Sequence, residues 1–302
     1  MKAGFVSIIG RPNAGKSTLL NRLVGEKIAI VSDKPQTTRT RILGVKNHPG
    51  AQVVFIDTPG IHRPLHRMNV RMVDAAVDTL EEADVVLLVH DATTRPGRGD
   101  AFVSKLLARA TAPVILVLNK IDQVRKPKLL PIIAQMKEWH DFAEIVPLSA
   151  ATGDGVDRLE QVLVSRLPEG EALYPSDYLT DQPERQMAAE MVREKVLQHT
   201  RAELPFTTAV VVDRFEEPAE PGALLRLWCT ILVEQESQKP IVIGRAGEMI
   251  KRIGTDARQD LERFFDTKVF LDLHVKVQPD WRDNLRVLDE LGLPRSAASR
   301  KK

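Results

Sequence analysis

The feature that most constrains this chain is a glycine-rich run between an apolar segment and a helical one: Gly10-Arg11-Pro12-Asn13-Ala14-Gly15-Lys16-Ser17. Two glycines at this spacing, followed by lysine and serine, predict a phosphate-binding loop that joins a strand to a helix. Glycine lets the backbone curl so that its N–H groups point at phosphate oxygens, and the helix N-terminus adds a partial positive charge. We therefore expect Lys16 to reach the β- and γ-phosphates of a nucleotide and the Ser17 hydroxyl to bind Mg²⁺. The predicted nucleotide contacts in this loop are Gly10, Asn13, Ala14, Gly15, Lys16, Ser17 and Thr18.

The first 170 residues alternate short apolar runs with segments of helical spacing, such as 70–81 and 101–110. Runs that are almost continuously apolar are typical of strands buried on both faces. The alternation predicts a domain over 1–170 of the α/β class, with a doubly wound, mostly parallel sheet. Ligands of such sheets bind beyond the carboxyl ends of the strands. The predicted strands are 5–9, 51–56, 85–89, 114–118 and 144–148, and a polar residue or a glycine follows each of them.

The second predicted strand ends at Asp57-Thr58-Pro59-Gly60. A carboxylate at Asp57 can hold the Mg²⁺ shell, and the Gly60 N–H can meet the γ-phosphate and detect its loss. Between the phosphate loop and this strand lies a polar segment, 34–41, in which Thr38 is predicted to close onto Mg²⁺ and the γ-phosphate only in the triphosphate state. Thr37 and a solvated loop without such a role are the alternatives. The predicted Mg²⁺ ligands are Ser17, Thr38 and Asp57, and the predicted catalytic residues include Lys16, Thr38 and Gly60.

Two later strand ends carry groups suited to a guanine base, Asn119-Lys120-Ile121-Asp122 and Ser149-Ala150-Ala151. A carboxylate at Asp122 can accept two hydrogen bonds from guanine, from N1–H and from the exocyclic amine. Adenine lacks that pair of donors, and a buried carboxylate left unpaired would reject it. Backbone N–H groups after the last strand can contact the guanine carbonyl oxygen. These patterns predict a Mg²⁺-dependent GTPase that binds GTP and GDP, with base-side contacts from Asn119, Lys120, Asp122, Ser149 and Ala150.

A second, smaller unit is predicted after a proline-containing linker at 171–183. It comprises a domain at 184–280, followed by a C-terminal helix and basic tail at 281–302. Its predicted order is α-β-β-α-β, which indicates an α+β domain. The predicted elements are a helix at 184–200, strands at 206–214 and 224–234, the apolar run 241–243, a helix at 248–265 with a break at Gly254, and a strand at 269–277.

Within this second unit, a glycine-bounded turn separates an apolar run from an amphipathic helix. The two glycines permit close backbone approach, and the following helix aims free N–H groups at phosphates. This turn and helix resemble the GXXG loop of KH domains, and the resemblance implies that RNA binds here. The predicted RNA contacts are Ile243, Gly244, Arg245, Ala246, Gly247, Lys251 and Arg252, with Arg258 adding local positive charge. The helix residues predicted to face the core are Ile250, Ile253, Ala257, Leu261 and Phe264.

Taken together, these residues resemble the Era-type GTPases, which belong to the TrmE-Era branch of the translation-factor-related GTPases. The resemblance covers nearly the whole chain and rests on five runs: Gly-Arg-Pro-Asn-Ala-Gly-Lys-Ser at 10–17, Gln-Thr-Thr-Arg at 36–39, Asp-Thr-Pro-Gly-Ile-His at 57–62, Asn-Lys-Ile-Asp at 119–122 and Val-Ile-Gly-Arg-Ala-Gly-Glu-Met-Ile-Lys at 242–251. It implies a P-loop GTPase domain followed by a type II KH domain, whose GXXG loop clamps about four single-stranded nucleotides. It also implies binding to small-subunit (16S) ribosomal RNA near its 3′ end and assistance in assembly of the 30S subunit.

The resemblance also bears on how hydrolysis is achieved. Ras-like switches carry a water-orienting glutamine at the position that Ile61 occupies here. The Ile61 side chain cannot hydrogen-bond water, so charge stabilisation must come from elsewhere or hydrolysis must be slow. In this branch an asparagine of the phosphate loop is linked to a bound K⁺, and Asn13 matches that position. The resemblance therefore implies K⁺-stimulated hydrolysis and adds Asn13 to the catalytic residues. The alternative is that Asn13 only suits a turn.

Composition limits the remaining possibilities. No apolar run approaches the ~20 residues needed to cross a bilayer, and the N-terminus has no signal-peptide pattern. We therefore expect a cytoplasmic monomer, with at most peripheral association with the inner face of the cell membrane. Two other functions remain open: an RNA-binding assembly factor gated by GTP with vestigial hydrolysis, and a membrane-associated signalling GTPase. Three tryptophans far apart in the sequence, Trp139, Trp228 and Trp281, are predicted to pack rather than to form a base-stacking set.

Overall fold

The computed structural model describes residues 1–34, 36–61, 66–200, 204–218, 220 and 222–293. Its first half is a six-stranded sheet with strand order β2-β3-β1-β4-β5-β6, in which every neighbouring pair except β2 with β3 is parallel. This confirms the predicted α/β class. The elements are β1 Lys2–Gly10, α1 Lys16–Val24, β2 Ile42–His48, β3 Ala51–Asp57, α2 Arg67–Glu82, β4 Val85–Asp91, α3 Arg98–Leu107, β5 Val114–Asn119, α4 Leu129–Lys137, β6 Glu144–Pro147 and α5 Val156–Arg166.

Two apolar clusters lie on opposite faces of this sheet. Val6 and Ile8 of β1 pack in one cluster with residues of α1 and α5. Ile9, the next residue along β1, packs in the other cluster with residues of α2 and α3. Successive strand residues point to opposite faces, so burial of both faces requires consecutive apolar residues. This is why the strands appear in the sequence as almost continuous apolar runs.

Parallel pairing places the carboxyl ends of the strands at one edge of the sheet. Ile8 of β1 is level with Asp57 of β3, and Asp91 of β4 is level with Asn119 of β5. The glycine-rich loop starts at Gly10, the last residue of β1. The strand ends that the sequence marks with polar residues therefore face one common region.

The second half contains a three-stranded sheet of order β7-β8-β9, in which β7 runs antiparallel and β9 parallel to β8. One face of this sheet packs against helices α6 and α9 around an apolar core. The elements are α6 Glu184–His199, the single turn α7 Leu204–Thr207, β7 Ala209–Glu216, β8 Leu225–Val233, α8 Lys239–Ile243, α9 Glu248–Phe265, β9 Val269–Val277 and α10 Leu285–Glu290.

Four details of this half differ from the predictions. Phe206 and Thr207, the first residues of the strand predicted at 206–214, belong to the turn α7, and β7 begins at Ala209. The run 241–243 is part of the short helix α8, which adds a helix to the predicted order. The predicted break at Gly254 is wrong, because α9 runs unbroken through this residue. The buried face formed by Ile253, Ala257 and Leu261 holds the helix together, which outweighs the cost of about 1 kcal/mol for an interior glycine. Phe264 is 36% exposed rather than a core residue.

The segment 171–183, predicted to be a linker, lies along the edge strand β2. The N–H of Leu43 donates to Asp181 Oδ1 at 3.1 Å, and the Thr180 hydroxyl donates to the carbonyl of Leu43 at 2.6 Å. The rings of Tyr174 and Tyr178 stack with centroids 4.8 Å apart. The segment thus covers a strand whose outer backbone groups would otherwise be open to pairing with another chain.

The two halves share an apolar cluster. Met68 and Met72 of α2 are buried against Leu232 of β8 and against Trp281. The Trp281 ring N–H donates to the carbonyl of Thr207 at 2.8 Å, so this tryptophan is a core residue as predicted. Among the described residues, no helix combines the length and the apolar character needed to cross a membrane.

Candidate nucleotide site and nucleic-acid cleft

The loop between β1 and α1 has the backbone that phosphate binding requires. Asn13 and Gly15 both have positive φ, at 62° and 93°. A Cβ at Gly15 would lie 2.2 Å from Nδ2 of Asn119, so only glycine fits against that side chain. The buried ammonium of Lys16 donates to the carbonyls of Gly10 at 3.3 Å and Arg11 at 3.1 Å. Burial lowers the pKa of Lys16, although the negative charge of Asp57 opposes this.

The three predicted Mg²⁺ ligands converge. Ser17 Oγ lies 2.6 Å from Thr38 Oγ1 and donates to Asp57 Oδ2 at 2.8 Å, and Thr38 Oγ1 donates to the same carboxylate oxygen at 3.3 Å. The other carboxylate oxygen, Oδ1, is buried and has no hydrogen-bond partner in the described part of the chain. Burial raises the pKa of Asp57 to about 6, against the opposing effect of Lys16. A buried carboxylate with an unused oxygen beside two hydroxyls is a donor set that Mg²⁺ fits.

Gly60 lies against the phosphate loop. A Cβ at this position would be 2.8 Å from Cα of Pro12, so a side chain would push the two loops apart. The next N–H, of Ile61, donates to the carbonyl of Gly10 at 3.1 Å, and the Ile61 side chain is buried. The position that a water-orienting side chain would occupy is therefore part of the apolar core.

Asn119 ties the base side of the site to the phosphate loop. Its Nδ2 donates to the carbonyl of Ala14 at 2.8 Å, and its Oδ1 accepts from the N–H of Lys120 at 2.8 Å and of Ala150 at 2.9 Å. The Ala150 N–H, predicted to meet the guanine oxygen, is thus engaged by Asn119 in this structure. Asp122 is exposed at the start of the following turn. Ser149 is buried.

Asp91 was not assigned to the site from the sequence, yet it belongs there. Its Oδ2 accepts a hydrogen bond of 2.6 Å from Lys120 Nζ, which also donates to the carbonyl of Asn13 at 2.8 Å. Partial burial acts to raise the pKa of Asp91. Hydrogen bonds outweigh this effect and hold the pKa below its usual range; the strongest effect is that of Lys120, and the next is that of Thr93. A signal existed in the sequence, because Asp91 ends a strand beside the one that ends at Asn119.

A cavity of about 490 Å³ lies beside the phosphate loop. It is bounded by the phosphate loop, by Gly60, by Asp91 with Lys120, and by the segments 30–33 and 36–38. Asn13 Nδ2 donates to the carbonyl of Asp33 at 2.7 Å and so connects the phosphate loop to the covering segment. Of the predicted nucleotide contacts, Gly10, Ala14, Asp57, Asn119, Asp122, Ser149 and Ala150 do not line this cavity.

The segment that covers the cavity is held from the second half of the chain. Glu194 of α6 is buried and accepts from the N–H of Val31 at 2.8 Å, and it pairs with Lys27 at 2.6 Å. Its neighbour Arg193 is also buried, and the Arg193 guanidinium donates to the carbonyl of Thr37. These contacts were missed, because charged residues of a helix ordinarily face solvent. No local signal in the sequence could have found them.

A second cleft lies between α9 and the edge strand β9. The turn before α9 has positive φ at Gly244 (76°), Ala246 (51°) and Gly247 (78°). A Cβ at Gly244 would lie 2.6 Å from Cβ of Met249, so the turn packs tightly onto the start of α9.

The cleft itself measures about 470 Å³. Of the predicted RNA contacts, Lys251 lines it. The others do not: Ile243, Gly244, Arg245, Ala246, Gly247 and Arg252. Further lining residues are Gly254, Thr255 and Arg258 of α9 and Phe270 of β9. Gly254, where the sequence was interpreted as a helix break, lines the cleft, and a Cβ there would make an ordinary contact of 3.4 Å with the Leu273 side chain.

Comparisons with known proteins identify both halves. The profile of the family described as 50S ribosome-binding GTPase matches residues 5–120, and that of the KH domain matches residues 207–282. GTPase Era of Geobacter metallireducens is 54% identical over 291 residues, which cover 96% of this chain and 97% of that protein. The chain belongs to the Era family of GTPases. GTPase Era of Heliobacterium modesticaldum is 47% identical over 97% of both chains.

Two solved Era structures are similar over 98% of this chain and all of their own, each at 43% identity. One is Era in complex with MgGDPNP and nucleotides 1506–1542 of 16S ribosomal RNA, with a TM-score of 0.93. The other is a variant of Aquifex aeolicus Era bound to GDP·AlF4⁻, with a TM-score of 0.92. The chain is therefore an Era GTPase with a P-loop GTPase domain followed by a KH domain of type II, which confirms the predicted family and fold class.

Proposed function

We propose that this chain hydrolyses GTP as a switch that controls how its KH domain engages small-subunit (16S) ribosomal RNA near the 3′ end, and that it thereby assists assembly of the 30S subunit. One observation carries the proposal: the likeness over 98% of this chain to a solved Era that holds MgGDPNP together with 16S ribosomal RNA. The two clefts of this chain support it, because one gathers phosphate- and metal-binding groups and the other has the turn and groove of a KH domain.

In the nucleotide cavity, Lys16 is assigned to the β- and γ-phosphates. Its ammonium is buried and bonded only to two neutral carbonyls among the described residues, so phosphate oxygens would be stronger acceptors. Ser17, Thr38 and Asp57 would hold Mg²⁺, which neutralises charge between the β- and γ-phosphates when bound. The Gly60 N–H is assigned to the γ-phosphate, and Asp122 to guanine N1–H and its exocyclic amine.

The coupling between nucleotide and RNA is assigned to the covering segment 30–38. Loss of the γ-phosphate would release Thr38 and Gly60. The same segment is bonded to α6 through Val31 and Thr37, and α6 packs directly against α9, the helix that lines the RNA cleft. A change in the segment is therefore passed to the KH domain through one buried helix.

We propose that K⁺ stimulates hydrolysis, with Asn13 as its protein ligand. Support comes from the position of Asn13 between the covering segment and Lys120, and from the burial of Ile61, which leaves no side chain there to orient a water. The left-handed backbone of Asn13 also fits a turn, and this alone would explain the residue. Equal turnover in K⁺ and Na⁺ would assign Asn13 to the turn alone.

The test is multiple-turnover GTP hydrolysis with Mg²⁺, in K⁺ and in Na⁺, with and without an RNA of the 16S 3′-end sequence. We expect faster hydrolysis in K⁺ and a further increase with RNA. The double substitution Gly244→Asp, Gly247→Asp should remove the RNA effect and leave basal hydrolysis intact. Basal turnover that stays negligible under all conditions would favour a factor gated by GTP without useful hydrolysis. A preference for ATP would overturn the assignment of the nucleotide site.

We further propose that the chain works as a cytoplasmic monomer and that any association with the inner face of the cell membrane is peripheral. The apolar cores of the two halves are complete within one chain, which supports a monomer. Sedimentation velocity would measure the oligomeric state. Co-sedimentation with anionic vesicles at low and high salt would measure membrane association, and binding that survives high salt would contradict a peripheral, electrostatic contact.

A further inference from the structure

The outer face of the KH sheet is covered over only part of its area. Leu232 of β8 is buried on this face against Trp281 and the last helix. Trp228 lies four residues earlier on the same strand and so points to the same side. It is only half-buried, and neighbouring Phe270 of β9 is 45% exposed. One end of the outer face therefore presents aromatic rings to solvent.

These rings lie against each other and against an arginine. The centroids of Trp228 and Phe270 are 5.7 Å apart with the ring planes at 57°, and the Arg214 guanidinium lies 4.9 Å from the centroid of the Trp228 ring. Strand pairing places Arg214 opposite Trp228, and Phe270 opposite Arg226. We call Arg214, Trp228 and Phe270 the outer platform. Aromatic rings and guanidinium planes are the surfaces on which unpaired bases stack.

The platform is continuous with the RNA cleft. Phe270 lines the groove between α9 and β9 and also contacts Trp228 on the outer face. This is possible because β9 is the edge strand of its sheet. Single-stranded RNA that fills the cleft can therefore pass over this edge onto Trp228 without crossing any other strand of the sheet.

We propose that the outer platform is a second RNA subsite, which stacks the unpaired bases that follow the nucleotides held in the KH cleft. This inference rests on the proposed function, because it requires RNA in the cleft. A KH cleft holds about four nucleotides, so a longer single strand needs a further surface. Charge on the outer face is mixed: Arg226, Asp272 and Lys276 all belong to this side of β8 and β9, and Arg214 pairs with Glu216. Stacking rather than phosphate contact thus supplies the binding.

The test compares two RNA lengths on the full chain loaded with a non-hydrolysable GTP analogue. A tetranucleotide selected for cleft binding from the 16S 3′ end is compared with the same tetranucleotide extended at either end by six unpaired nucleotides. Affinities are measured by fluorescence anisotropy. We expect Trp228→Ala to weaken the extended RNA about tenfold, as for the loss of one stacked base, and to leave the tetranucleotide unchanged. Trp228→Phe should restore most of the loss.

Leu285→Ala is the matched control, because Leu285 is 44% exposed and lies on the last helix rather than on a strand of the sheet. It should change neither affinity. The loss caused by Trp228→Ala should vary little with salt, since few phosphate contacts are removed. The fluorescence of Trp228 is the part of the tryptophan signal that Trp228→Phe removes. In the unaltered chain, the extended RNA should quench this part, and the tetranucleotide should not. This readout does not depend on the stability of the alanine variant.

The outcomes separate the two proposals. If the unaltered chain fails to bind the tetranucleotide, the assignment of the cleft is wrong. The unaltered chain could instead bind both RNAs without quenching, while Trp228→Ala leaves the affinity for the extended RNA unchanged. In that case the platform is not an RNA subsite. Equal weakening of both RNAs would assign Trp228 to packing of the sheet and would also overturn the proposal.

Discussion

The nucleotide cavity and the KH cleft bind phosphorylated ligands by different physical means. At the cavity, the loops are tied together by a buried hydrogen bond from Asn119 to the phosphate loop and a part-buried one from Ser17 to Asp57. At the cleft, the binding turn is shaped by three positive φ angles, and the groove is an open space between a helix and an edge strand.

The difference reflects what each ligand requires. A compact, highly charged triphosphate with its metal needs buried charges held in place, and burial disfavours an isolated charge, as the raised pKa of Asp57 shows. A flexible single strand needs room, close backbone approach and surfaces for stacking. The cavity should therefore be sensitive to loss of charge, whereas the cleft should be sensitive to added volume.

The largest effect is expected from loss of charge in the cavity. Lys16→Ala removes the buried ammonium assigned to the phosphates and should slow GTP hydrolysis by about 10²–10³-fold, the scale for removal of one preorganised charge donor. Binding of a short RNA to the KH cleft should not change. Lys105→Ala, at an exposed lysine of α3, is the control and should leave the rate within about twofold. A rate for Lys16→Ala near that of the unaltered chain would contradict the assigned contact.

The next effect concerns added volume at the cleft. Both glycines of the turn have positive φ, but a Cβ would clash with Met249 at Gly244 and meet nothing within 4 Å at Gly247. Gly244→Ala should therefore weaken RNA binding about tenfold, which is on the scale of 1–3 kcal/mol for a strained backbone. Gly247→Ala should weaken RNA binding clearly less. Basal GTP hydrolysis is the internal control and should be equal in both. An equal loss of affinity in the two variants would show that packing against Met249 does not matter.

An effect of similar size is expected where α6 holds the segment that covers the cavity. Glu194→Gln keeps an acceptor for the Val31 N–H but removes the buried charge that pairs with Lys27. We expect the free energy of unfolding to fall by about 1–3 kcal/mol and the stimulation of hydrolysis by RNA to decrease, while basal hydrolysis and RNA affinity stay close to normal. Glu81→Gln, at an exposed position of α2, should change none of these quantities. Undiminished stimulation would mean that the coupling does not run through α6.

The smallest effect is a pH dependence at Asp57. Because burial raises its pKa to about 6, the folded, metal-free chain binds a proton that the unfolded chain releases near pH 4. This group therefore makes the metal-free protein more stable as the pH falls from 7 to 5. Mg²⁺ must displace that proton, so Mg²⁺ binding to the nucleotide complex should weaken below pH 6 and release protons there. Calorimetry in two buffers of different ionisation enthalpy measures the release, and its absence at pH 5.5 would contradict the raised pKa.

Much of the first half could be predicted from the sequence, because its signals are local. The glycine-rich loop, the strand end at Asp57 and the run from Asn119 to Asp122 each lie within a few consecutive residues. The parallel sheet then brings them to one edge. Even here Asp91 was missed, because its role depends on Lys120, which follows the end of the neighbouring strand.

The second half was predicted less completely. Its element order and turn were found, but α8, the continuity of α9 and the exposure of Phe264 were not. In α9 the periodic pattern is right for Ile253, Ala257 and Leu261, whereas the last turn buries part of Phe265 in place of Phe264. Near a helix end, a residue's burial depends on what packs beside the end, and spacing alone does not contain that information.

The sequence by itself determined which ligand chemistry this protein can perform, since phosphate, metal and guanine recognition each need particular groups at short, fixed spacing. Only the tertiary structure decided which residues control those groups. Arg193 and Glu194 look like solvent-facing charges in the sequence, yet they are buried and hold the segment over the nucleotide cavity. Trp228 looks like a core residue, yet it stands on an open face. The reason is physical: whether a side chain is buried or exposed is set by distant parts of the chain that pack against it.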